Sequence, residues 1–449
     1  MGDLAKIFKA YDVRGLVPDE FDEPIAEAVG AAFVEVTGAG SVVVAHDMRE
    51  SSVPLAEAFV RGARSRRADV VHAGLGSTDL LYYASGSLGL PGVMFTASHN
   101  PARYNGMKMC RAGAVPIGGD TGLSQIRDRA AELVGVTATP VGSLIEKDLL
   151  PGYADHLRTL VDLTGIRPLK VVVDAGNGMG GHTVPSVFDG LPIELVPLYF
   201  ELDGDFPNHE ANPLEPQNLL DVQRAVVDSG ADIGLAFDGD ADRCWVIDER
   251  GASVSPSAVT ALVAVRELAK APGATIIHNL ITSHGVPEIV QEHGGVPVRT
   301  RVGHSFIKAE MARTGAVFGG EHSAHYYFRD FWFADSGLLA AMHVLAALGE
   351  QDRALSELVE VYSRYHASGE VNSAVADQGE ALRRVREAFA GRGEFDEVDG
   401  LTVTGSGWWF NLRASNTEPL LRLNAEAADE TEMTAIRDEV LAIVGKVSK

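Results

Sequence analysis

Residues able to do chemistry begin with a serine in the loop sequence Thr-Ala-Ser-His-Asn-Pro, residues 96–101. The apolar segment before it, residues 92–95, predicts a strand, and the final proline disfavours helix just before it, so Ser98 is expected on an exposed loop. The alternatives are a plain polar turn and a hydrolase serine. The Gly-x-Ser-x-Gly elbow of many hydrolases is missing, and neighbouring side chains in an extended loop point apart, which predicts that His99 is not a base for Ser98.

Three carboxylates alternate along a second loop, between predicted strands at residues 232–237 and 244–248: Asp238, Asp240 and Asp242. Carboxylates packed this closely repel one another, and a hard divalent cation relieves the repulsion. An EF-hand calcium loop is the rival, since Glu249 falls at its last ligand position. However, Arg243 stands where that loop requires glycine, and strands rather than helices flank it. A solvated acidic turn is disfavoured by the apolar strands on both sides, so the loop predicts a divalent cation site.

Two later loops carry residue types suited to sugar hydroxyls and to phosphate. Residues 320–325 read Gly-Glu-His-Ser-Ala-His, and a glutamate can accept two hydrogen bonds from neighbouring sugar hydroxyls. Residues 413–419 read Arg-Ala-Ser-Asn-Thr-Glu-Pro, with Arg422 just beyond. Hydroxyls, an amide, backbone N–H groups and a guanidinium on one loop can hold an anion, and arginine offers phosphate two parallel hydrogen bonds. Plain polar turns remain the alternatives.

Further cationic candidates lie outside these loops. Arg14 is near the start of the chain, and Lys108 follows the serine loop closely enough to return to the same cleft. His304 and Lys308 have the i, i+4 spacing that places two side chains on one helix face. Taken singly, each is typical of a structural or surface residue.

The elements that position these loops repeat along the chain. A β-branched apolar run, a polar or Gly-rich turn and a helix signal recur in this order at residues 41–52, 170–181 and 275–285. This repetition predicts three related α/β domains with mixed, mostly parallel sheets whose loops open on one edge. Ser51 or Ser52 is expected to cap the first of these helices.

The C-terminal part follows another pattern. Residues 401–413 predict a β-hairpin that turns at residues 405–407, and a strand and a helix follow, which indicates a smaller α+β domain. The predicted domains are residues 1–150, 151–250, 251–368 and 369–449.

Composition and charge narrow the class of protein. The 449 residues carry 38 Lys and Arg against 62 Asp and Glu, and a net charge of -24 argues against a nucleic-acid partner. No apolar run is long enough to cross a bilayer, and the N-terminus lacks a signal-peptide core. Cys110 and Cys244 are far apart in sequence, which favours a reducing compartment. We therefore expect a cytoplasmic protein that acts on small molecules, as a monomer or homodimer.

The four loops, in this order, closely resemble the signatures of the α-D-phosphohexomutases, and the nearest branch is similar to bacterial phosphomannomutase/phosphoglucomutase. The resemblance covers essentially the whole chain, with one signature per domain, and implies four domains around a central cleft. The implied activity interconverts hexose 1-phosphate and hexose 6-phosphate, with mannose or glucose as the sugar. The implied route passes through a phosphoserine and a hexose 1,6-bisphosphate, with Mg²⁺ as cofactor and the bisphosphate as activator.

The resemblance also implies a role for each matching residue. The metal would be held by the phosphorylated serine and the three aspartates: Ser98, Asp238, Asp240 and Asp242. The sugar would be held by the third loop: Glu321, Ser323 and His325. The phosphate that does not react would be held by the C-terminal domain: Arg413, Ser415, Asn416, Thr417 and Arg422. Acid, base and charge-stabilising roles would fall to four residues: Lys108, His304, Arg14 and Arg243.

One segment departs from the family pattern. Residues 278–284 read His-Asn-Leu-Ile-Thr-Ser-His where many relatives carry a lysine or arginine, so a cationic contact is either missing or supplied by His284. Three alternatives remain: a phosphoglucosamine mutase, whose sugar loop usually reads Gly-Glu-Gln-Ser-Gly-His, a non-catalytic sugar-phosphate-binding protein, and a phosphatase.

Overall fold

Apolar strand segments form four separate sheets, one after another along the chain, in the computed structural model, which describes residues 4–136, 138–414 and 420–445. The side chains of His304 and Ser305 are also outside the description. Three sheets have helices around them and combine parallel with antiparallel pairs, and the fourth is antiparallel. This confirms the predicted fold class of three α/β domains followed by a smaller α+β domain.

The elements of the first domain are β1 (Val13–Leu16), α1 (Glu23–Thr37), β2 (Ser41–His46), α2 (Ser52–Ser65), β3 (Asp69–Leu75), α3 (Thr78–Leu88), β4 (Gly92–Phe95), β5 (Tyr104–Arg111), β6 (Val115–Pro116), α4 (Leu123–Leu133) and β7 (Leu144–Glu146). The strand order is β1-β5-β4-β2-β3-β7, with β6 on β5. Strands β4, β2, β3 and β7 are parallel, and β5 runs against β4 and β1.

The second and third domains each contain a five-stranded sheet with the orders β12-β11-β10-β8-β9 and β14-β13-β15-β16-β17. Domain two comprises α5 (Leu150–Leu160), β8 (Leu169–Asp174), α6 (Gly180–Phe188), β9 (Ile193–Leu198), α7 (Leu220–Ser229), β10 (Ile233–Phe237), β11 (Cys244–Asp248) and β12 (Ser253–Val254). Domain three comprises α8 (Pro256–Lys270), β13 (Thr275–Asn279), α9 (Gly285–Glu292), β14 (Val296–Thr300), α10 (His304–Thr314), β15 (Phe318–Gly320), β16 (Tyr326–Phe328), β17 (Ala334–Asp335), α11 (Gly337–Gly349) and α12 (Leu355–Glu360).

The C-terminal domain comprises β18 (His366–Ala374), α13 (Gln378–Ala388), β19 (Glu394–Asp396), β20 (Leu401–Thr404), β21 (Trp408–Ala414), β22 (Leu420–Ala427) and α14 (Glu430–Gly445), with the strand order β18-β22-β21-β20-β19. The predicted hairpin is confirmed as β20 and β21, and its turn lies at residues 405–407. Alternation along β22 buries Leu421 and Leu423 in the domain core and turns Arg422 to the other face of the sheet.

The hydrophobic core joins the first three domains. One cluster of buried side chains runs from Leu80 of domain one through Val173 and Leu235 to Leu338 of domain three. The C-terminal domain has its own core. Helix α11 is almost wholly buried. Within the described residues no helix is both long and apolar enough to cross a bilayer, as predicted.

The predicted cap position of α2 is confirmed at Ser51, but the serine makes no side-chain cap hydrogen bond. Ser51 is at the N-cap position, but its hydroxyl accepts a hydrogen bond from Asn105 Nδ2 at 2.8 Å and makes no cap bond. The Ser52 hydroxyl donates to Asp47 Oδ1 at 2.5 Å. Because both hydroxyls have tertiary partners, neither is available to the helix N-terminus.

Three of the four predicted loops occupy equivalent positions. The serine loop joins β4 to β5, the aspartate loop joins β10 to β11, and the Gly-Glu-His-Ser-Ala-His loop joins β15 to β16. In each domain the loop follows a strand that belongs to the parallel part of the sheet and leads into the neighbouring strand, which runs antiparallel to it. The fold thus places corresponding strand ends of three domains next to one another.

Candidate active site

Ser98 meets the aspartate loop of the second domain. Its Oγ lies 2.8 Å from Asp238 Oδ2, to which it donates a hydrogen bond, and the residue is 5% exposed. Its backbone is left-handed, with φ of 49°, and its N–H donates to Thr96 Oγ1 at 2.9 Å. A non-glycine residue in this conformation is held there by its surroundings, as is common at functional sites.

The residue that holds the serine loop is Arg49, which the sequence analysis missed. Its guanidinium is buried and donates to the carbonyl oxygens of Ser98, Asn100, Pro101 and Tyr104 at 2.7 to 3.0 Å. Its Nε donates to Asp47 Oδ2 at 3.2 Å. Every guanidinium nitrogen therefore fixes either the loop or the carboxylate that orients the arginine, and lysine could not reproduce this fan of donors.

His99 corrects the sequence analysis. Its Nδ1 is 3.1 Å from Ser98 Oγ, so the two neighbouring side chains meet instead of pointing apart. The reason is the left-handed backbone at Ser98, since the argument assumed an extended loop. The same Nδ1 is 2.6 Å from Arg243 Nη2, which donates to it, and burial lowers the pKa of His99 well below its usual value, with Arg243 adding to the effect. His99 is neutral, and its Nδ1 serves as an acceptor for Arg243.

The three aspartates are buried and converge. One carboxylate oxygen from each lies within 4.8 Å of the others. Asp240 Oδ1 and Asp242 Oδ1 are buried and have no hydrogen-bond partner. Hard oxygen donors that converge, with buried lone pairs left unused, fit a divalent cation such as Mg²⁺. Burial raises the pKa of Asp238 to about 7, although Arg243 opposes the shift.

Gly239 allows the two loops to approach each other. A Cβ at this position would lie 2.4 Å from the Ser98 carbonyl oxygen, a distance that the backbone could accommodate only by moving. The aspartate loop therefore passes directly over the serine loop at a residue without a side chain.

Lys108 projects from β5 into the same carboxylates. Its Nζ lies 2.6 Å from Asp240 Oδ2 and 2.5 Å from Asp242 Oδ2. Burial alone would lower the pKa of Lys108, but the two carboxylates outweigh burial and raise the pKa above its usual value. For Asp240, burial is likewise outweighed by Lys108, which holds its pKa below the usual range. Lys108 therefore lies in the same cleft as Ser98, as predicted.

The N-terminus of α3 also contacts the aspartate loop. Thr78 Oγ1 donates to Asp240 Oδ2 at 2.6 Å, and its backbone N–H donates to the Asp240 carbonyl at 3.0 Å. Next to it, the buried Asp79 carboxylate accepts hydrogen bonds from the hydroxyls of Ser77, Tyr153 (2.7 Å) and Ser336 (2.6 Å). Burial raises the pKa of Asp79 to about 6, against the lowering effect of these hydrogen bonds. Three domains thus meet at one carboxylate behind the aspartate loop.

Two arginines border the serine. Arg243 donates to Asp238 Oδ2 from Nε at 2.9 Å, and its Nη2 is 3.5 Å from Ser98 Oγ. Arg14, on β1, donates to Asn100 Oδ1 and, at 2.6 Å, to Asp12 Oδ2. Arg243 therefore lies beside Ser98, whereas Arg14 contacts the serine loop at Asn100.

The sugar loop reaches the aspartates through His325. Its Nε2 is 3.6 Å from Asp242 Oδ1, and its Nδ1 is 3.2 Å from Ser323 Oγ. Glu321 is buried and accepts hydrogen bonds from the Tyr327 hydroxyl at 2.7 Å and the Gly303 N–H at 3.1 Å. The loop therefore presents a fixed carboxylate, a hydroxyl and an imidazole to the cleft.

Lys308 is internal rather than part of this surface. It is buried on α10, 2.7 Å from Asp335 Oδ1, and its Nζ lies 4.1 Å from the centre of the Tyr82 ring. Its predicted neighbour His304 starts the same helix, but the side chain of His304 lies outside the described residues.

On the C-terminal domain, Arg413 and Arg422 lie opposite each other on neighbouring strands, and both contact Glu370. The other predicted phosphate ligands of this loop, Ser415, Asn416 and Thr417, lie outside the described residues.

His284 contacts the C-terminal domain. Its ring stacks on Trp409 of the C-terminal domain, with ring centres 4.9 Å apart and planes at 11°. Its backbone N–H donates to Glu426 Oε1 at 3.0 Å. Burial lowers the pKa of His284, so the imidazole is neutral near pH 7 and packs the third domain against the fourth.

Comparison with known proteins agrees with this geometry. The four phosphoglucomutase/phosphomannomutase models, alpha/beta/alpha domains I, II and III and the C-terminal domain, match residues 5–134, 151–251, 255–365 and 370–443. The phosphohexose mutases of Xanthomonas campestris pv. campestris are 40% identical over 438 residues, which cover 97% of this chain and 98% of theirs. The phosphomannomutase of Escherichia coli K12 is 39% identical, with 97% of both chains covered. A crystal structure of a phosphoglucomutase/phosphomannomutase family protein from Burkholderia thailandensis superposes with a TM-score of 0.90, at 33% identity, over 100% of this chain and 98% of that one.

Four domains that bring a serine, a cluster of three aspartates and several cations to one cleft define an intramolecular phosphotransferase, a class of isomerase. The chain belongs to the phosphoglucomutase/phosphomannomutase family, the α-D-phosphohexomutases.

Proposed function

We propose that the protein interconverts hexose 1-phosphates and hexose 6-phosphates of mannose and glucose, through a phosphoryl group carried by Ser98. The observation that carries the proposal is the hydrogen bond of 2.8 Å between Ser98 Oγ and Asp238, which belongs to the aspartate cluster. A phosphoryl group on this oxygen would lie among metal-binding carboxylates and beside Arg243. Phosphoryl transfer depends mainly on positioning and charge neutralisation, and this environment supplies both.

In the forward half-reaction, a hydroxyl oxygen of the sugar forms a bond to phosphorus while the bond from phosphorus to Ser98 Oγ breaks. The proton of the sugar hydroxyl passes to a base, for which Lys108 and His304 are our candidates, and Ser98 Oγ leaves as the alkoxide. Lys108 is protonated while Asp240 and Asp242 hold it, so it can act as the base only after the metal has taken over those carboxylates. Mg²⁺, held by Asp238, Asp240, Asp242 and the phosphoserine, would stabilise negative charge on the oxygens around phosphorus. Arg243 and Arg14 add positive charge on the side of the serine.

The resulting hexose 1,6-bisphosphate must turn around so that its second phosphate meets Ser98. Glu321, Ser323 and His325 are proposed to hold the sugar in both orientations, because rotation roughly exchanges the O3 and O4 hydroxyls. The C-terminal domain is proposed to hold the phosphate that does not react, through Arg413, Ser415, Asn416, Thr417 and Arg422. Closure of the four domains would exclude water, which limits hydrolysis. The bisphosphate would also supply the first phosphoryl group to Ser98. We propose that the enzyme acts in the cytoplasm.

A coupled assay tests the proposal. Mannose 1-phosphate and glucose 1-phosphate are supplied with Mg²⁺ and a trace of glucose 1,6-bisphosphate, to wild type and to Ser98→Ala. Ser229→Ala is the matched control, because its hydroxyl bonds only to carbonyls of its own helix, at 2.6 Å and 3.4 Å. We expect 6-phosphate formation that requires Mg²⁺, persists in the control and falls by several orders of magnitude in Ser98→Ala. Turnover of glucosamine 1-phosphate alone, or phosphate release without isomerisation, would contradict the proposed function.

A further inference from the structure

Glu370 lies between two arginines that face each other across a strand pair. Arg413 on β21 and Arg422 on β22 are direct cross-strand partners. Glu370 is on β18, which pairs with the other side of β22. Its Oε2 is 2.9 Å from Arg413 Nη2, and its Oε1 is 3.4 Å from Arg422 Nη1. One carboxylate thus serves two guanidinium groups.

The arrangement is unbalanced in charge. Like charges directly opposite on antiparallel strands destabilise the pair. Among the described residues, Glu370 is the single carboxylate that contacts the two arginines, and it can neutralise only one of them. Arg413 Nε and Arg422 Nε are buried without a hydrogen-bond partner, although a buried donor usually has one. Within the part of the chain that the structure describes, the pair therefore carries one uncompensated positive charge and two unused donors, which indicates an anion-binding site that Glu370 only partly satisfies.

We propose that Glu370 is a built-in competitor of the phosphate bound by Arg413 and Arg422, a specificity-determining residue that phosphate displaces from both guanidinium groups. This inference rests on the proposed function, in which these arginines hold the phosphate that does not react. A phosphate dianion brings two negative charges to the two arginines and balances them, whereas Glu370 brings one. A monoanion only replaces the single charge of Glu370, so it gains little free energy by displacing the carboxylate. Glu370 therefore lowers the affinity of the site for monoanions more than for dianionic phosphate.

The test is the affinity of the full chain for inorganic phosphate, measured by isothermal titration calorimetry at constant ionic strength. Glu370→Gln keeps the shape of the side chain and removes its charge, so we expect phosphate to bind roughly three- to tenfold more tightly. Chloride should compete with phosphate more strongly in the variant than in wild type. Glu380→Gln is the matched control, because this glutamate also contacts two arginines of the same domain, on exposed helix α13, and its affinity should equal that of wild type.

An equal or weaker phosphate affinity in Glu370→Gln would overturn the inference and assign Glu370 the role of holding the arginines in place. Glu370→Asp provides a second variant if the glutamine variant does not fold. Its shorter side chain keeps the charge but cannot span both arginines, so we expect an intermediate affinity. Kinetics give a separate readout, in which KM for the hexose phosphate falls in Glu370→Gln and kcat does not rise. If wild type does not isomerise hexose phosphates but Glu370→Gln still binds phosphate more tightly, the proposed function fails and the competitor role stands.

Discussion

Replacement of Thr78 by valine tests whether the first domain positions a metal ligand of the second. Thr78 is fully buried, and its hydroxyl donates to Asp240 Oδ2 across the domain boundary at 2.6 Å. Valine has nearly the same shape, so the change removes the hydrogen bond without leaving a cavity. We expect Thr78→Val to bind Mg²⁺ or Mn²⁺ more weakly than wild type, with little change in folding.

The size of the effect follows from the contact. A hydrogen bond to a charged group contributes about 1.5–3 kcal/mol, and loss of a partner that orients a metal ligand typically costs about 10–100-fold in metal affinity. The Thr78 backbone N–H still binds the Asp240 carbonyl at 3.0 Å, so the loop stays in register and only the carboxylate gains freedom. We therefore expect the lower end of the range, a loss of about tenfold, or about 1.4 kcal/mol.

Calorimetric titration of metal into the sugar-free protein measures this directly. Thr183→Val is the matched control, because this buried threonine donates only to a carbonyl near the start of its own helix, at 3.2 Å. A metal affinity of Thr78→Val within twofold of the control would refute the argument that Thr78 orients Asp240.

Three further predictions follow from the same contacts. The lysine of Arg49→Lys cannot reproduce the guanidinium donors to the Ser98 loop, so we expect kcat to fall at least tenfold in the coupled assay. A kcat near that of wild type would count against the role of Arg49. Gly239→Ala places a Cβ 2.4 Å from the Ser98 carbonyl, and a similar loss of kcat without a large fall in melting temperature is expected. For Asp79, burial raises the pKa from 3.8 to about 6, so the native state binds more protons than the unfolded state in that interval. The contribution of Asp79 to the free energy of unfolding should therefore fall by about 2.4 kcal/mol between pH 4 and pH 7. A urea-unfolding series in which Asp79→Asn shows the same pH dependence as wild type would contradict this.

The predictable part of the site lies in short contiguous loops. The loops of Ser98 and the three aspartates were predicted correctly at strand ends because an apolar strand ending in a polar turn shows itself locally in the sequence. The predicted exposure of Ser98 was wrong, because the aspartate loop of the second domain covers the serine and leaves it 5% exposed. Lys108 was placed in the same cleft because β5 follows the serine loop directly and runs back beside β4.

The missed residues act across long sequence separations. Arg49 follows β2 just as Ser98 follows β4, but nothing local shows that its partners are carbonyl groups about fifty residues further along the chain. Thr78 and Glu370 form their contacts only after domains or strands have assembled. The error at His99 arose differently, because a left-handed backbone at a serine is imposed by tertiary contacts and has no signal in the sequence.

The cations of the candidate site are already paired with carboxylates, which bears on how so acidic a chain would hold the doubly phosphorylated sugar of the proposed function. Arg243 and Lys108 contact the aspartate cluster, and Arg413 contacts Glu370. Under the proposed function, binding of substrate and metal is an exchange of partners, in which the metal takes over the aspartates and phosphate takes over the cations they release. Such an exchange conserves the number of buried ion pairs, so it avoids the desolvation cost of creating unpaired charges in the empty cleft. The net charge of -24 then limits non-specific anion binding elsewhere on the protein.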